Sequence, residues 1–181
     1  RGEDILYVCY DNEIYGNTGG QRSSATPLGA ATSTTPAGKD RPKKDILGIL
    51  AAHRIPYAAT VSLAHPDDAF RKMRLALGMS GFRFLHILSP CPTGWKSEPA
   101  DGIELVRLAV RAGLYPVCEI RDGRRIRINV EPSMSPQALE RYVALQGRFR
   151  TAGDYLERFR AGIAESWAAL GRYEREGGPL A

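Results

Sequence analysis

Asp11-Asn12-Glu13-Ile14-Tyr15-Gly16-Asn17-Thr18-Gly19-Gly20-Gln21 is the stretch of this chain whose residue types and spacing best suit binding chemistry. Glycines at 16, 19 and 20 let backbone N–H groups approach an anion closely and point at it together. Asn12 offers a neutral, hard oxygen of the kind Mg²⁺ takes alongside substrate phosphates. A diphosphate carried with Mg²⁺ is the guest these residues suit, although the residues alone do not say which diphosphate. The three cysteines differ in setting. Cys9 and Cys118 lie inside apolar runs and read as buried packing thiols. Cys91 lies between Pro90 and Pro92 in a loop, where a free thiol and a ligand are both open readings. His53, His65 and His86 are not spaced as metal ligands; His65-Pro66-Asp67 reads as a helix start and His86 as a strand residue.

The elements that must position these groups follow from hydrophobic patterning. Ile5 to Tyr10 is a continuous apolar and aromatic run that stops at Asp11. Without alternation it reads as a strand buried on both faces, as in a parallel sheet. Similar runs cover Tyr57 to Val61 and Phe84 to Leu88. Helical patterns lie between them. One runs from Lys43 to Arg54, with Ile46, Leu47, Ile49 and Leu50 on its apolar face. Another runs from Asp67 to Leu77, with Phe70, Met73, Leu75 and Leu77. A third begins at Asp101, with Glu104 in capping-box spacing, and stops at Gly113. Tyr115 to Ile120 and Arg125 to Val130, joined through Asp122-Gly123, read as a hairpin. Ser135-Pro136 opens a helix through Gln146. A last helix from about Asp154 carries Leu156, Phe159, Ile163, Trp167 and Leu170, and reads as an arm docking on a partner subunit. Strands alternating with helices predict an α/β fold: a mostly parallel sheet with helices on both faces, plus a β-hairpin and C-terminal helices. The segment from Gly16 to Lys39 fits neither period. A long loop of this kind inside a compact domain is usually functional.

The chain has 181 residues, 43% hydrophobic and 25% charged, enough for a globular domain with a full core. That composition excludes wholesale disorder, and three cysteines exclude a disulfide-dense scaffold. No apolar run approaches the roughly 18 residues of a membrane span. The net charge of +5 is interleaved, so no nucleic-acid partner is expected. Lys39, Arg41, Lys43 and Lys44, like Arg121, Arg124, Arg125 and Arg127, read first as solvated or edge-blunting charges. The alternative is docking of an acidic electron carrier. Trp95 reads as a core or interface anchor. The chain opens on Arg1, consistent with a processed subunit or a truncated piece.

The run from Asp11 to Pro27, with Ala37-Gly38-Lys39 after it, resembles the thiamine-diphosphate module of the 2-oxoacid:ferredoxin oxidoreductase family, specifically the β subunit of the pyruvate type. Leu88-Ser89-Pro90-Cys91-Pro92-Thr93-Gly94-Trp95 is a second matching block, and Leu108-Ala109-Val110 with Ala112-Gly113-Leu114-Tyr115-Pro116 a weaker third. The resemblance implies that residues 1–150 are the C-terminal part of the cofactor-binding domain and 151–181 a helical arm. It implies thiamine diphosphate, Mg²⁺ and a shared 4Fe-4S cluster as cofactors. Mg²⁺ would be held by the Asn12 side chain and the Ile14 carbonyl, with a further Asp from an upstream Gly-Asp-Gly motif that this chain lacks. Asn17 would lie beside the reacting centre as the catalytic candidate, and Thr18 and Gly19 on the diphosphate side. Cys91 would supply one of four cluster thiolates, the others lying outside this chain. Glu13 would orient the loop. The implied reaction is oxidative decarboxylation of pyruvate with coenzyme A to acetyl-CoA and CO₂, electrons passing through the cluster to ferredoxin or flavodoxin. Another 2-oxoacid (oxalate or a branched-chain oxoacid) or a non-catalytic assembly module is the alternative. The implied partners are α and other subunits in the cytoplasm, with no membrane, and this chain alone is expected to be inactive.

Overall fold

The computed structural model describes residues 3–150 and 155–176. Three apolar runs form the parallel part of one sheet: β1 (Leu6–Asp11), β2 (Tyr57–Val61) and β3 (Arg83–Leu88). A hairpin, β4 (Val117–Arg121) and β5 (Arg125–Val130), completes it. The order is β1-β3-β2-β4-β5. β1 and β2 both pair parallel to β3, whereas β4 runs antiparallel to β2 and to β5. The sheet is therefore parallel through its first three strands and antiparallel at the hairpin end.

Helices cover both faces, as the alternation of elements predicts. On one face Ala58, Phe84, Cys118 and Ile120 pack under α1 (Ile46–Ala52). On the other, Tyr57, Ala59, Val61, Leu85 and Ile87 pack under α2 (Pro66–Leu77). Beyond the carboxyl end of β3 the chain makes a single turn, α3 (Pro92–Trp95), and then α4 (Gly102–Arg111). After the hairpin follow α5 (Pro136–Ala144), a 3₁₀ turn at Gly147–Phe149, and α6 (Tyr155–Glu176). Trp95, Leu105, Leu139, Tyr142 and Phe149 form the core of this end.

Several expectations are corrected. β1 is an edge strand, with Ile5, Tyr7 and Tyr10 exposed, so it is not buried on both faces. Composition alone cannot tell an edge strand from a central one when its outward residues are aromatic. β2 and β3, in contrast, are buried at every residue. In α2 the buried positions are Ala69, Lys72 and Ala76, while Phe70 and Leu77 are exposed. Small side chains let this helix lie close to the sheet, and Lys72 reaches the Thr60 carbonyl with Asp68 beside its ammonium. The Asp101 carboxylate accepts no capping N–H from α4, and Glu104 pairs instead with Arg107.

The final helix packs along its own chain: Phe159 meets Phe149 edge-on, Trp167 donates to the Gly113 carbonyl, and the Tyr173 hydroxyl donates to the Gly123 carbonyl. The expected boundary between residues 150 and 151 falls against 151–154, which lie outside the described residues, as do 177–181.

Gly123 is the tightest point of the hairpin turn. Its φ is 63°, and a Cβ there would stand 2.2 Å from the Ala51 carbonyl oxygen at the end of α1. Gly123→Ala is expected to lower stability by about 2 kcal/mol or more. Urea unfolding checks this; a change below about 0.5 kcal/mol would show that the turn tolerates the methyl group.

Candidate active site

The parallel strands end together at Asp11, Val61 and Leu88, and in open α/β sheets this is where ligands bind. The chain leaves β1 through a tightly determined turn. Asp11 Oδ1 accepts the Glu13 N–H at 2.8 Å, and Asn12 Oδ1 accepts the Ile14 N–H at 3.3 Å. Glu13 takes φ 63°, a left-handed conformation uncommon for a residue with a Cβ. Three successive carbonyls then have different fates. That of Asn12 accepts the Trp95 Nε1–H at 2.8 Å, and that of Glu13 accepts the Thr26 hydroxyl at 2.6 Å. That of Ile14 accepts no hydrogen bond among the described residues. Asn12 and Ile14 both line a cavity of about 320 Å³, together with Tyr15, Ser23 and Ser24.

Beyond the turn, Tyr15 and Gln21 pair in a small bridge. Here an expectation is corrected. The N–H groups of Gly19 and Gly20 bond to the carbonyls of Gly16 and Tyr15, so they close the loop and do not converge on an anion. Gly16, Asn17 and Thr18 N–H groups make no backbone bond among the described residues, and Asn17 is exposed. The amides left without a backbone partner are therefore those of Gly16, Asn17 and Thr18, and not those of Gly19 and Gly20.

Cys91, 80 positions from Asp11 in the sequence, arrives at the same turn. Its sulfur accepts the Gly94 N–H at 3.4 Å. Gly94 lies against Ile14: a Cβ on it would stand 2.8 Å from Ile14 Cγ2 and 3.3 Å from the Cys91 sulfur. Gly94 and Trp95 therefore pack directly on Ile14 and Asn12, with the Cys91 sulfur beside Gly94. Cys118 is buried, and burial pushes its thiol up to about 11, whereas Cys9 is only half-buried, short of the buried packing thiol expected. Among the described residues no three His, Cys, Asp or Glu side chains gather as a metal set.

Charged groups hold the turn from beneath. Asp11 Oδ2 meets His86 Nε2 at 2.8 Å and Lys43 Nζ at 2.6 Å. Lys43 also pairs with Glu13 at 2.8 Å, and Arg148 pairs with the other Glu13 oxygen at 2.7 Å. Burial alone would raise the Asp11 carboxyl, but the His86 hydrogen bond and the Lys43 cation outweigh it and hold the group well below the usual range. Lys43 is raised despite its burial, because Glu13 and Asp11 favour its charge. Of the expected solvated cluster, Arg41 and Lys44 are exposed, whereas Lys43 is committed to two carboxylates and Lys39 is buried. Lys39 is 3% exposed, and its ammonium donates to the carbonyls of Ser24, Thr26 and Pro42. It is the internal strut of the Gly16–Lys39 loop. The Ala37-Gly38-Lys39 motif was the only sequence signal for it. The arginine-rich hairpin tip is placed far off: Arg121 pairs with Tyr57, at the amino end of β2. The site is one strand length away, about 17 Å.

Asp11 generates a pH prediction. A carboxyl whose folded value lies below its unfolded value contributes stability that is present above about pH 4 and lost as pH falls through the folded value. Asp11→Asn is expected to cost about 2–3 kcal/mol at pH 7 and to flatten the acid limb of the stability curve. Denaturant midpoints between pH 7 and 3 measure it, and an unchanged acid limb would contradict the assignment.

The sequence comparisons place this geometry in a known context. Residues 1–87 match the family model of the thiamine pyrophosphate enzyme C-terminal TPP binding domain. The chain is 47% identical over 177 residues to the pyruvate synthase subunit PorB of Methanocaldococcus jannaschii, covering 94% of this chain and 59% of that protein. It is 43% identical over 177 residues to the ketoisovalerate oxidoreductase subunit VorB of Pyrococcus furiosus, covering 94% of this chain and 57% of that one. The chain thus spans less than two thirds of the length of these relatives. A solved 2-oxoglutarate:ferredoxin oxidoreductase from Magnetococcus marinus aligns at a TM-score of 0.47 and 25% identity, over 59% of this chain and 43% of that chain. On these matches the chain belongs to the thiamine pyrophosphate enzyme family, within the group that contains the PorB and VorB subunits.

Proposed function

We propose that this chain is the C-terminal part of the β subunit of a 2-oxoacid:ferredoxin oxidoreductase acting on pyruvate. Residues 1–150 belong to its thiamine-diphosphate domain and 151–181 form a helical extension. The observation that carries the reading is the contact of the Asn12–Ile14 turn with the Cys91–Trp95 turn. An electron-transferring thiamine enzyme needs its coenzyme and its cluster side by side, and these two turns meet through Gly94 on Ile14 and Trp95 on Asn12.

The residues present fit the implied groups. Asn12 Oδ1 and the Ile14 carbonyl are neutral oxygens of two residues that line one cavity, and the Ile14 carbonyl accepts no hydrogen bond among the described residues. They suit Mg²⁺, which keeps few protein ligands and shares phosphate oxygens. Asp11 and Glu13 are committed to cations beneath the turn, so the metal's carboxylate comes from outside this chain. The free amides at Gly16 to Thr18, with the Thr18 and Gly19 turn, face the diphosphate, and Asn17 reaches toward substrate. Cys91 offers one thiolate to a 4Fe-4S cluster completed by residues beyond this chain. Thiamine diphosphate supplies the electron sink for loss of CO₂. This chain's own residues bind the diphosphate, orient it and hold Cys91 within reach, while coenzyme A and ferredoxin or flavodoxin act with the whole complex.

Relatives named for pyruvate and for ketoisovalerate are similar over the same length, so a branched-chain 2-oxoacid is the second reading. The Asn17-Thr18-Gly19 run supports pyruvate.

The test uses the complete subunit assembled with its partners. Pyruvate should bleach the iron–sulfur absorbance when thiamine diphosphate and Mg²⁺ are present. Asn12→Ala is expected to raise half-saturating Mg²⁺ at least tenfold, Asn17→Ala to slow reduction at least tenfold, and Cys91→Ser to remove the bleaching. If Asn12→Ala and Asn17→Ala both leave reduction untouched, the site is misassigned. Faster reduction by 2-oxoisovalerate than by pyruvate would select the second reading.

A further inference from the structure

Glu13 stands between the two residues assigned to Mg²⁺, and nothing in its own backbone favours the conformation it holds. Its φ of 63° places a Cβ-bearing residue in the left-handed region. Beside Lys43 and the hydrogen bonds at its own N–H and carbonyl, a residue 135 positions downstream holds it. Arg148 is 2% exposed and sits at the centre of three converging segments. Its guanidinium pairs with Glu13 Oε2 at 2.7 Å and donates to Gln146 Oε1 at 2.8 Å and to the Tyr142 hydroxyl at 3.2 Å. The same guanidinium lies 4.2 Å over the Trp95 ring. Its backbone carbonyl accepts the Ala31 N–H from the long loop at 2.7 Å.

These contacts close a circuit. Arg148 holds the Glu13 carboxylate on one side and the Trp95 indole on the other. Trp95 in turn donates to the carbonyl of Asn12, the peptide that joins Asn12 to Glu13. The turn is thus gripped at its side chain and at its backbone by one cation. Because Trp95 belongs to the helical turn capped by Cys91, the circuit also fixes Cys91 relative to Ile14.

We propose that Arg148 is a positioning residue for cofactor capture: through Glu13 and Trp95 it presents the Asn12 side-chain oxygen and the Ile14 carbonyl to Mg²⁺. This rests on the functional reading above. A guanidinium is needed because a planar cation can stack on the indole while its edge pairs with the carboxylate, and an ammonium cannot do both.

The experiment uses the complete subunit in its assembled complex. Binding of Mg²⁺ and thiamine diphosphate is measured by calorimetry, together with the melting temperature without cofactor. Arg148→Met is expected to weaken Mg²⁺ binding at least tenfold. Arg148→Lys should recover part of the affinity. Glu13→Gln should weaken Mg²⁺ in the same direction, and the double variant Glu13→Gln with Arg148→Met should be no worse than the weaker single one. A lowered melting temperature with Mg²⁺ affinity within twofold of the parent would reduce Arg148 to a fold residue and overturn the proposal. Should Arg148→Met not fold, Arg148→Lys and Glu13→Gln decide it by the same affinity criterion. A parent complex that takes up neither Mg²⁺ nor thiamine diphosphate would instead sink the functional reading, and this proposal with it.

Discussion

Glu13 is held in a left-handed backbone conformation by cations on both of its carboxylate oxygens, and the geometry of the whole site depends on that clamp. A left-handed conformation at such a residue costs roughly 1–2 kcal/mol. Losing one partner of a buried ion pair costs about 3–5 kcal/mol. The clamp therefore outweighs the strain, and the chain can stop β1 abruptly and turn within three residues. Lys43 serves two anions at once, Asp11 and Glu13, so Asp11, Glu13, Lys43 and Arg148 form a chain of alternating charge. No member is left without a counter-charge, which is the condition for burying such groups.

The consequence for chemistry is a separation of roles between neighbouring residues. Odd positions of the turn, Asp11 and Glu13, face inward and are saturated by protein cations. Even positions, Asn12 and Ile14, are left with neutral oxygens at a cavity. The two acidic side chains of this turn are thus engaged by protein cations.

A second consequence concerns the meeting of two turns. β1 and β3 are neighbours in parallel register, Asp11 opposite Leu88, so the segments that follow them must leave the sheet at the same place. Gly94, lacking a side chain, allows Ile14 and Cys91 to approach. The sheet order decides this, since β3 lies between β1 and β2. The same topology sends the arginine-rich hairpin tip to the opposite end of the sheet.

The sequence by itself determined the order and kind of the elements: three apolar runs, the helices between them, the Asp-Gly hairpin and the long polar loop. Local periodicity and turn chemistry act between residues a few positions apart, and this information is present in the chain as written. The family resemblance also singles out Asn12, Ile14, Asn17 and Cys91 as candidates, because their motifs are contiguous. Only the tertiary structure decided which strand lies at an edge, so the aromatic side chains of β1 proved exposed while those of β2 and β3 are enclosed. Only it showed that Lys39 and Lys43 are buried struts, that α6 returns to its own chain, and that Arg148 grips a turn from the far end of the sequence. The physical reason is that a charge shows no periodicity. Whether it is solvated or buried depends on what the fold brings against it, and its partners here lie from 3 to 135 positions away.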